Sequence, residues 1–511
     1  MGNKRKKMGY FLVSILIMAG IYVPYSQVYG MSDKENDNQF YRNPVLGGDY
    51  PDPSVLRVGK DYYMTHSSFN YYPGLLVWHS TDLINWERIG HALHKNVGSV
   101  WAPDLIKYKD IFYIYFPAGG TNWVVTSKSP KGPWSDPVDL KLSGYIDPGH
   151  VVGPDGTRYL YLSKGYIVQL AEDGLSTVGA PQYIYGGWDF PKTWSTECFC
   201  LESPKSTVKD GFYYMTVAEG GTAGPATSHM VVSARSESPF GPWVNSPYNP
   251  IVHTADRSER WWSQGHGTLV DDVDGNYWIL YHAYEKGFHS LGRQTLMLPV
   301  EWTKDNWYRI PDRLKSSDKL LKPAGKASAK NISLSDDFSG KEIRLQWQFY
   351  KDYSPERVEL KDGALFLSAE GNSFENSSPL LVNAADKKYE VQVEYTIDDG
   401  VTAGLCLYYN ETANARISVD KYVFTVYNQK SAKIREKNSL GNHGYLRILN
   451  DENEVSFYFS QDGENWNRVE RSLDMTGFNH NVFGEFLSLR VGIFAFESGK
   501  VKFDNYIYKI L

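Results

Sequence analysis

The sequence predicts an all-β chain, a five-bladed β-propeller followed by a β-sandwich. Three observations carry this expectation. A turn-plus-strand unit recurs five times, one framed polar residue precedes each unit, and the strand pattern changes after Pro311.

The recurring unit is a turn leading into an aromatic-rich strand. It appears as Gly59-Lys60-Asp61-Tyr62-Tyr63-Met64, Lys109-Asp110-Ile111-Phe112-Tyr113-Ile114 and Asp155-Gly156-Thr157-Arg158-Tyr159-Leu160. It returns as Lys209-Asp210-Gly211-Phe212-Tyr213-Tyr214 and Asp274-Gly275-Asn276-Tyr277-Trp278-Ile279. Asp-Gly before an alternating apolar run marks a hairpin, because both turn residues tolerate left-handed backbone. The first aromatic of each copy stands at 62, 112, 159, 212 and 277, giving steps of 50, 47, 53 and 65. Strand and turn at that period indicate propeller blades. Two copies close alike, as Ser129-Pro130-Lys131-Gly132-Pro133-Trp134 and Ser238-Pro239-Phe240-Gly241-Pro242-Trp243.

Just upstream of each hairpin stands one polar residue framed by Pro, Gly or Ser: Asp52, Asp104, Asp147, Glu202 and His266. The innermost strand of a blade borders the central channel, so residues at one blade position meet around one mouth. Four of the five are acids, and crowding acids drives their pKa values apart. A protonated carboxyl opposite an ionised one suits glycoside hydrolysis, the first assisting the leaving oxygen and the second activating water. A third acid orients the proton donor and holds its pKa up. The chain has no Gly-rich phosphate loop, His-Glu-x-x-His, Cys-x-x-Cys or Gly-x-Ser-x-Gly to support a competing chemistry.

Composition agrees. Aromatics make up 15 %, with Tyr 38 and Trp 15, favouring strands and flat walls for sugar rings. Lys+Arg 53 against Asp+Glu 59 leaves −6, which speaks against nucleic acid as a partner. Three cysteines make no disulfide framework, and Cys198, Cys200 and Cys406 are expected as buried small apolar side chains. Lys4-Arg5-Lys6-Lys7, the apolar stretch from Tyr10 to Val23 and Val28-Tyr29-Gly30 read as a secretory signal over 1–30, with an uncleaved anchor as the alternative. A disordered lead-in over 31–42 follows, and the mature protein is expected to be periplasmic or secreted, with no membrane contact.

From about Asn43 to Val300 the chain resembles glycoside hydrolase family 43. The matching residues are Asn43-Pro44-Val45-Leu46, Pro51-Asp52-Pro53-Ser54, Trp101-Ala102-Pro103-Asp104 and Ser143-Gly144-Tyr145-Ile146-Asp147-Pro148. Ala218-Glu219-Gly220-Gly221-Thr222, Gly265-His266-Gly267 and Leu291-Gly292-Arg293 complete the set. The resemblance implies a five-bladed propeller that inverts anomeric configuration, with Asp52 as general base, Asp147 as pKa modulator and Glu202 as general acid. Many relatives carry Glu-Gly-Pro at the acid, whereas this chain has Glu202-Ser203-Pro204, and Glu197 is a rival. Glu219 is read as structural or rim. The resemblance also implies that Arg293 bonds a sugar hydroxyl, and that His266 contacts a channel cation, commonly calcium, through water. Calcium prefers oxygen ligands, so a lone His is no direct site, and no cofactor is required. Phe69, Tyr71, Trp101 and Trp123 are candidates to stack on a sugar. Asp104 stands where xylosidase-like members often have His, which tilts the expectation toward arabinofuranose.

The propeller is assigned to 43–313 and a Lys/Ser/Ala-rich linker to 314–335. Residues 336–511 show short alternating strands with turns at Asp362-Gly363, Asp399-Gly400 and Asp462-Gly463. They resemble the concanavalin-like C-terminal domain of β-xylosidases and arabinofuranosidases. The expected function is exo-acting, inverting release of terminal α-L-arabinofuranose from plant cell-wall oligosaccharide or polysaccharide such as arabinoxylan or xyloglucan. β-D-xylosidase or dual activity is the alternative, and a non-catalytic glycan-binding propeller is the rival of a different class. The loops Ser68 to Gly74 and Gly186 to Ser195 are expected to wall the channel mouth.

Overall fold

The computed structural model describes residues 39–328, 332–421 and 423–511. The expected secretory signal and most of the lead-in fall outside the described residues. Among the described residues no helix is long and apolar enough to cross a membrane.

Five antiparallel sheets form the blades. Blade 1 is Ser54–Val58, Asp61–Thr65, Gly74–Ser80 and Glu87–Leu93; blade 2 is Asp104–Tyr108, Ile111–Ala118, Thr121–Ser127 and Val138–Asp139. Blade 3 is Gly149–Val152, Arg158–Leu162, Tyr166–Leu170 and Thr177–Tyr183. Blade 4 is Glu202–Lys209, Phe212–Glu219, Met230–Ser236 and Val244–Asn245, and blade 5 is Trp261–Asp271, Tyr277–Glu285, Arg293–Trp302 and Tyr308–Arg309. Each predicted repeat is the hairpin between the first two strands of a blade. In blade 4 the turn residues Asp210 and Gly211 lie at φ +50° and +82°, the left-handed pair a tight two-residue hairpin requires. The chain meets its start at blade 5, where the amides of Val45 and Leu46 donate to the Thr295 carbonyl.

Two eight-stranded sheets make the sandwich, and its core runs from Phe338 to Tyr506. One of these sheets ends in a strand the propeller supplies. Tyr71–Tyr72, from the blade 1 loop, pairs antiparallel with Gln348–Tyr350, Phe349 opposite Tyr72. Tyr71 and Tyr72 are fully buried there, so Tyr71 is an interface residue and not a sugar platform. Across the same interface Asn383 donates to the Asp49 carbonyl at 2.9 Å and accepts from the Asp49 amide at 3.1 Å.

Two expectations change. Residues 314–328 of the expected linker form a strap docked on the propeller. Leu320–Leu321 pairs with Phe40–Tyr41, so the lead-in is ordered there too. Further along, the Ala324 amide donates to Asp272 and the Ser328 hydroxyl donates to the Asn85 carbonyl, tying blade 5 to blade 1. A few buried anchors, Leu320 and Ser316 among them, suffice to dock a segment whose composition reads as solvated. Second, Cys198 and Cys200 are half-buried and form a disulfide, while Cys406 is free and buried as expected. The chain folds tightly here: the Glu197 and Cys198 amides both donate to the Gly220 carbonyl, and the Gly220 amide donates to the Phe199 carbonyl. A bridge across one intervening residue joins no distant parts of the fold.

Candidate active site

Three acids from three blades converge on one small cavity of about 70 Å³, lined among others by Asp52, Asp147, Glu202, His266 and Arg293. Asp52 stands two residues before the inner strand of blade 1, Asp147 two before that of blade 3, and Glu202 opens that of blade 4. Asp52, Asp147, Ser203 and His266 all hold left-handed backbone, at φ +59°, +54°, +56° and +57°. Such residues cost roughly 1–3 kcal/mol each and persist where the surroundings impose them. Asp52 and Asp147 hold this conformation two residues before their strands, Ser203 just after Glu202 and His266 within the inner strand of blade 5.

Asp52 is 5 % exposed and sits among cationic and hydrogen-bonding partners. Its Oδ1 lies 3.2 Å from Arg293, 3.0 Å from His282 Nδ1 and 3.3 Å from His266 Nδ1. Ser67 donates its hydroxyl to the other oxygen, Oδ2. Burial alone would push this carboxyl up. The Arg293 charge, with the imidazoles of His266 and His282 against Oδ1, outweighs it and holds the group well below the usual carboxylate range.

The other two acids move the opposite way. Burial, with the Asp52 charge added, pushes Asp147 up to about 7, against the pull of Lys205 and the Ser203 amide. That amide donates to Asp147 Oδ2 at 3.2 Å, so Asp147 is tethered to the residue next to Glu202. Burial, then the charges of Asp147 and Asp52, push Glu202 well above the ordinary range. One site therefore holds an ionised carboxylate and a pair that keeps a proton, which is the division of labour acid–base hydrolysis needs.

The walls come from both domains. Phe69 and Trp101 line the cavity, as expected, and Phe486 of the sandwich closes it, its ring 6.2 Å from Trp101. The Arg293 guanidinium lies between Phe69 and Phe486, at 5.5 and 5.3 Å from the ring centres. Trp101, Ile146 and Glu202 also line a second, larger cavity of about 920 Å³.

A hydrated cation fits beside this site better than a bare one. Asp52, His266 and His282 bring ligand atoms within 4.8 Å of one another, as do Glu202, His229 and His266. The set is rich in imidazole nitrogen, a poor direct shell for calcium. His266 Nε2 and both nitrogens of His229 are buried without a partner among the described residues, so water held by a cation would satisfy them. Burial lowers His266 to about 3 and keeps it neutral, able to accept from such a water.

The Glycosyl hydrolases family 43 profile matches residues 41–308, and the Beta xylosidase C-terminal Concanavalin A-like domain profile matches 335–509. The chain belongs to glycoside hydrolase family 43. A xylan 1,3-beta-xylosidase of a Vibrio species is 28 % identical, over 91 % of this chain and 98 % of its own. A non-reducing end alpha-L-arabinofuranosidase of Bacteroides ovatus is 30 % identical, over 72 % of this chain and 71 % of its own. Among solved structures, a xylan beta-1,4-xylosidase from Bacillus halodurans superimposes with a TM-score of 0.83 at 26 % identity, covering 92 % of this chain and 99 % of that one.

Not every expected residue of this family 43 chain reaches the cavity. Asp104 does not: it is 6 % exposed and turned into the propeller. Lys205 bonds its Oδ1 at 2.9 Å and the His150 amide donates to its Oδ2 at 2.7 Å. Asp104 opens the inner strand of blade 2, two residues past the place that Asp52 and Asp147 hold before theirs. Ala102 fills that place in the cavity, and a lysine from blade 4 holds the Asp104 side chain beneath the site. Trp123 is packed in the core of blades 1 and 2. Glu197 stands outside the small cavity, accepting from the Ala223 amide at 2.8 Å, so Glu202 is the acid that faces Asp52 and Asp147. Glu219 is buried and accepts from the Trp188 amide at 2.7 Å, a structural place under the loop.

The sequence assigned no role to Ser67, His282 and Phe486, nor to Thr222, which lines the cavity and meets His282 Nε2 with its hydroxyl at 3.0 Å. His282 lies inside an apolar strand, and Phe486 arrives from another domain, so neither carries a local signal. The Lys205–Asp104 pair gives a stability test. Lys205→Met leaves a buried carboxylate unpaired, and the expected loss is about 3–5 kcal/mol in denaturant unfolding. Adding Asp104→Asn should restore part of it, whereas an unchanged unfolding midpoint for Lys205→Met would show that the pair does not hold blades 2 and 4 together.

Proposed function

We propose that this protein is an exo-acting, inverting glycosidase that releases terminal α-L-arabinofuranose from hemicellulose side chains or their oligosaccharides. The observation that carries the reading is the convergence of Asp52, Asp147 and Glu202, from three blades, on one cavity with Arg293 and His266. Their surroundings divide them, Asp52 held low beside Arg293 and Asp147 and Glu202 pushed up by burial and mutual repulsion. Glu202 donates its proton to the glycosidic oxygen as the bond to the anomeric carbon breaks. Asp52 takes a proton from the water attacking the opposite face, which inverts the centre. Asp147 keeps the shared proton on the Glu202 side, because two neighbouring buried carboxylates do not both ionise. Arg293 keeps Asp52 ionised and presents its remaining donors to a ring hydroxyl.

Exo action is supported by the wall that Phe69 and Phe486 make beside the small cavity. The small cavity lies beneath them, closed on the sandwich side, while the much larger cavity beside Glu202 takes the rest of the substrate. That asymmetry favours a short branch removed from a bulky chain, hence arabinofuranose. The β-D-xylosidase reading is kept by the names of the Vibrio and Bacillus relatives. The Asp104 argument for arabinofuranose no longer counts, since that side chain bonds Lys205. Secretion or a periplasmic location accords with a substrate too large to enter a cell.

The experiment is a time course on aryl α-L-arabinofuranoside, aryl β-D-xyloside, linear arabino- and xylo-oligosaccharides and branched arabinoxylan. Arabinose alone, from the first minutes, is the expected product of the branched substrate. Faster release of xylose would install the xylosidase reading, and early internal oligosaccharides would mean an open cleft and an endo-acting enzyme.

A further inference from the structure

The larger cavity holds a feature that the hydrolytic reaction itself does not use. Resting on the reading of Glu202 as proton donor, we propose that this cavity is a leaving-group cleft selective for a carboxylate-bearing oligosaccharide chain, with Lys164 supplying the cation that recognises the acid.

Glu202 delivers its proton to the leaving oxygen, so what lies against Glu202 outside the small cavity is the leaving group. At about 920 Å³ the space suits several sugar rings. Three of its lining side chains are large, apolar and unusually open to solvent: Tyr183 at 62 %, Phe199 at 41 % and Trp101 at 39 %. Exposed aromatics gathered on one concave surface mark a binding site, and flat rings beside backbone glycines suit pyranose faces.

Among the described residues Lys164 is the only basic side chain lining this cleft; the other ionisable side chains there are Glu202 and two tyrosines, Tyr145 and Tyr183. The lysine is held in place. Its backbone stands at φ +64° in the turn Ser163–Gly165, and its amide donates to the carbonyl of Leu201, the residue before Glu202, at 2.8 Å. Its Nζ donates to the Gly144 carbonyl at 3.0 Å and lies 6.0 Å from the Tyr145 ring centre. An ammonium has three donors, and only one is used by the Gly144 carbonyl. No carboxylate of the described residues pairs with it. In a chain of net charge −6, an exposed cation without a counter-charge, pinned next to the residue that precedes the proton donor, is an anion site waiting for substrate. The acid that suits it is a uronic-acid substituent on the leaving chain, within a ring or two of the cleaved bond.

The test compares two competitive inhibitors of aryl arabinofuranoside hydrolysis, xylotetraose and the same chain carrying one uronic acid. Each is measured on the wild type, Lys164→Met and Lys164→Arg. In the wild type at low salt the acidic chain should bind about three- to tenfold tighter, a charge-assisted contact in a partly dry cleft. The advantage should fall toward one at 1 M salt, vanish in Lys164→Met and largely return in Lys164→Arg. Equal constants in the wild type, an advantage that survives in Lys164→Met, or no competition from either chain would each overturn the proposal. If the wild type hydrolyses no aryl pentoside, the functional reading fails by itself. Calorimetric titration of the two chains then gives the same ratio and decides this proposal separately.

Discussion

Asp52→Asn should lower turnover by about 10²–10⁴-fold on every substrate, whatever the leaving group. The amide keeps the shape and can still accept from Ser67, but it has no charge with which to take a proton from water. Leaving-group quality does not matter because the deficit lies in the attacking water, so activated aryl glycosides should show no rescue. The environment fixes the pH dependence as well. Asp52 is held well below the usual carboxylate range, so the wild type keeps its base ionised through mild acid, and the acid limb of kcat/KM should lie below pH 4, the ordinary Asp value. Losing the carboxylate also leaves Arg293 buried without its partner, so folding of the variant must be checked by circular dichroism. A folded Asp52→Asn enzyme with near-normal turnover would remove Asp52 from the role of base.

Glu202→Gln should show the opposite signature. Activity on oligosaccharides and poorly activated aryl glycosides should fall by about 10²–10⁴-fold, while dinitrophenyl glycosides, whose leaving group needs no proton, recover most of the rate. The sign of the pH effect follows from the raised pKa. Burial and the charges of Asp147 and Asp52 keep Glu202 protonated through neutral pH, so the wild type retains its acid there and loses activity as pH rises through the upper titration of the Asp147–Glu202 pair. With activated substrates that alkaline limb should flatten in the variant, since no acid remains to be lost. If Glu197→Gln gave the dinitrophenyl rescue and Glu202→Gln did not, the acid would belong five residues earlier, on the loop that caps Ala223.

The propeller was legible because its signals are local. Asp210-Gly211 and its counterparts set the hairpin turns, and the framed residues Asp52, Asp147, Glu202 and His266 share the step into a blade. A similar frame does not settle the exact register, however. Asp104 opens its strand, two residues past the place held by Asp52 and Asp147, where blade 2 has Ala102, and Lys205, about a hundred residues away, holds its carboxyl in the interior. The same limit hid His282, indistinguishable in sequence from its apolar strand, and Phe486, which reaches the cavity only because Tyr71–Tyr72 and Asn383 dock the sandwich on blade 1. Cys198 and Cys200 looked like isolated buried thiols because the backbone pairing with Gly220 that brings them together depends on a strand beyond them. What the sequence did not carry is contact made across blades and across domains.

The most direct test of the central claim is proton NMR of the first sugar released from an aryl α-L-arabinofuranoside, recorded before mutarotation. Inversion through Asp52-activated water predicts that β-L-arabinofuranose appears first, with the α anomer growing in later. An α anomer appearing first would mean a covalent, retaining route and would contradict the assignment of Asp52 as base and Glu202 as acid.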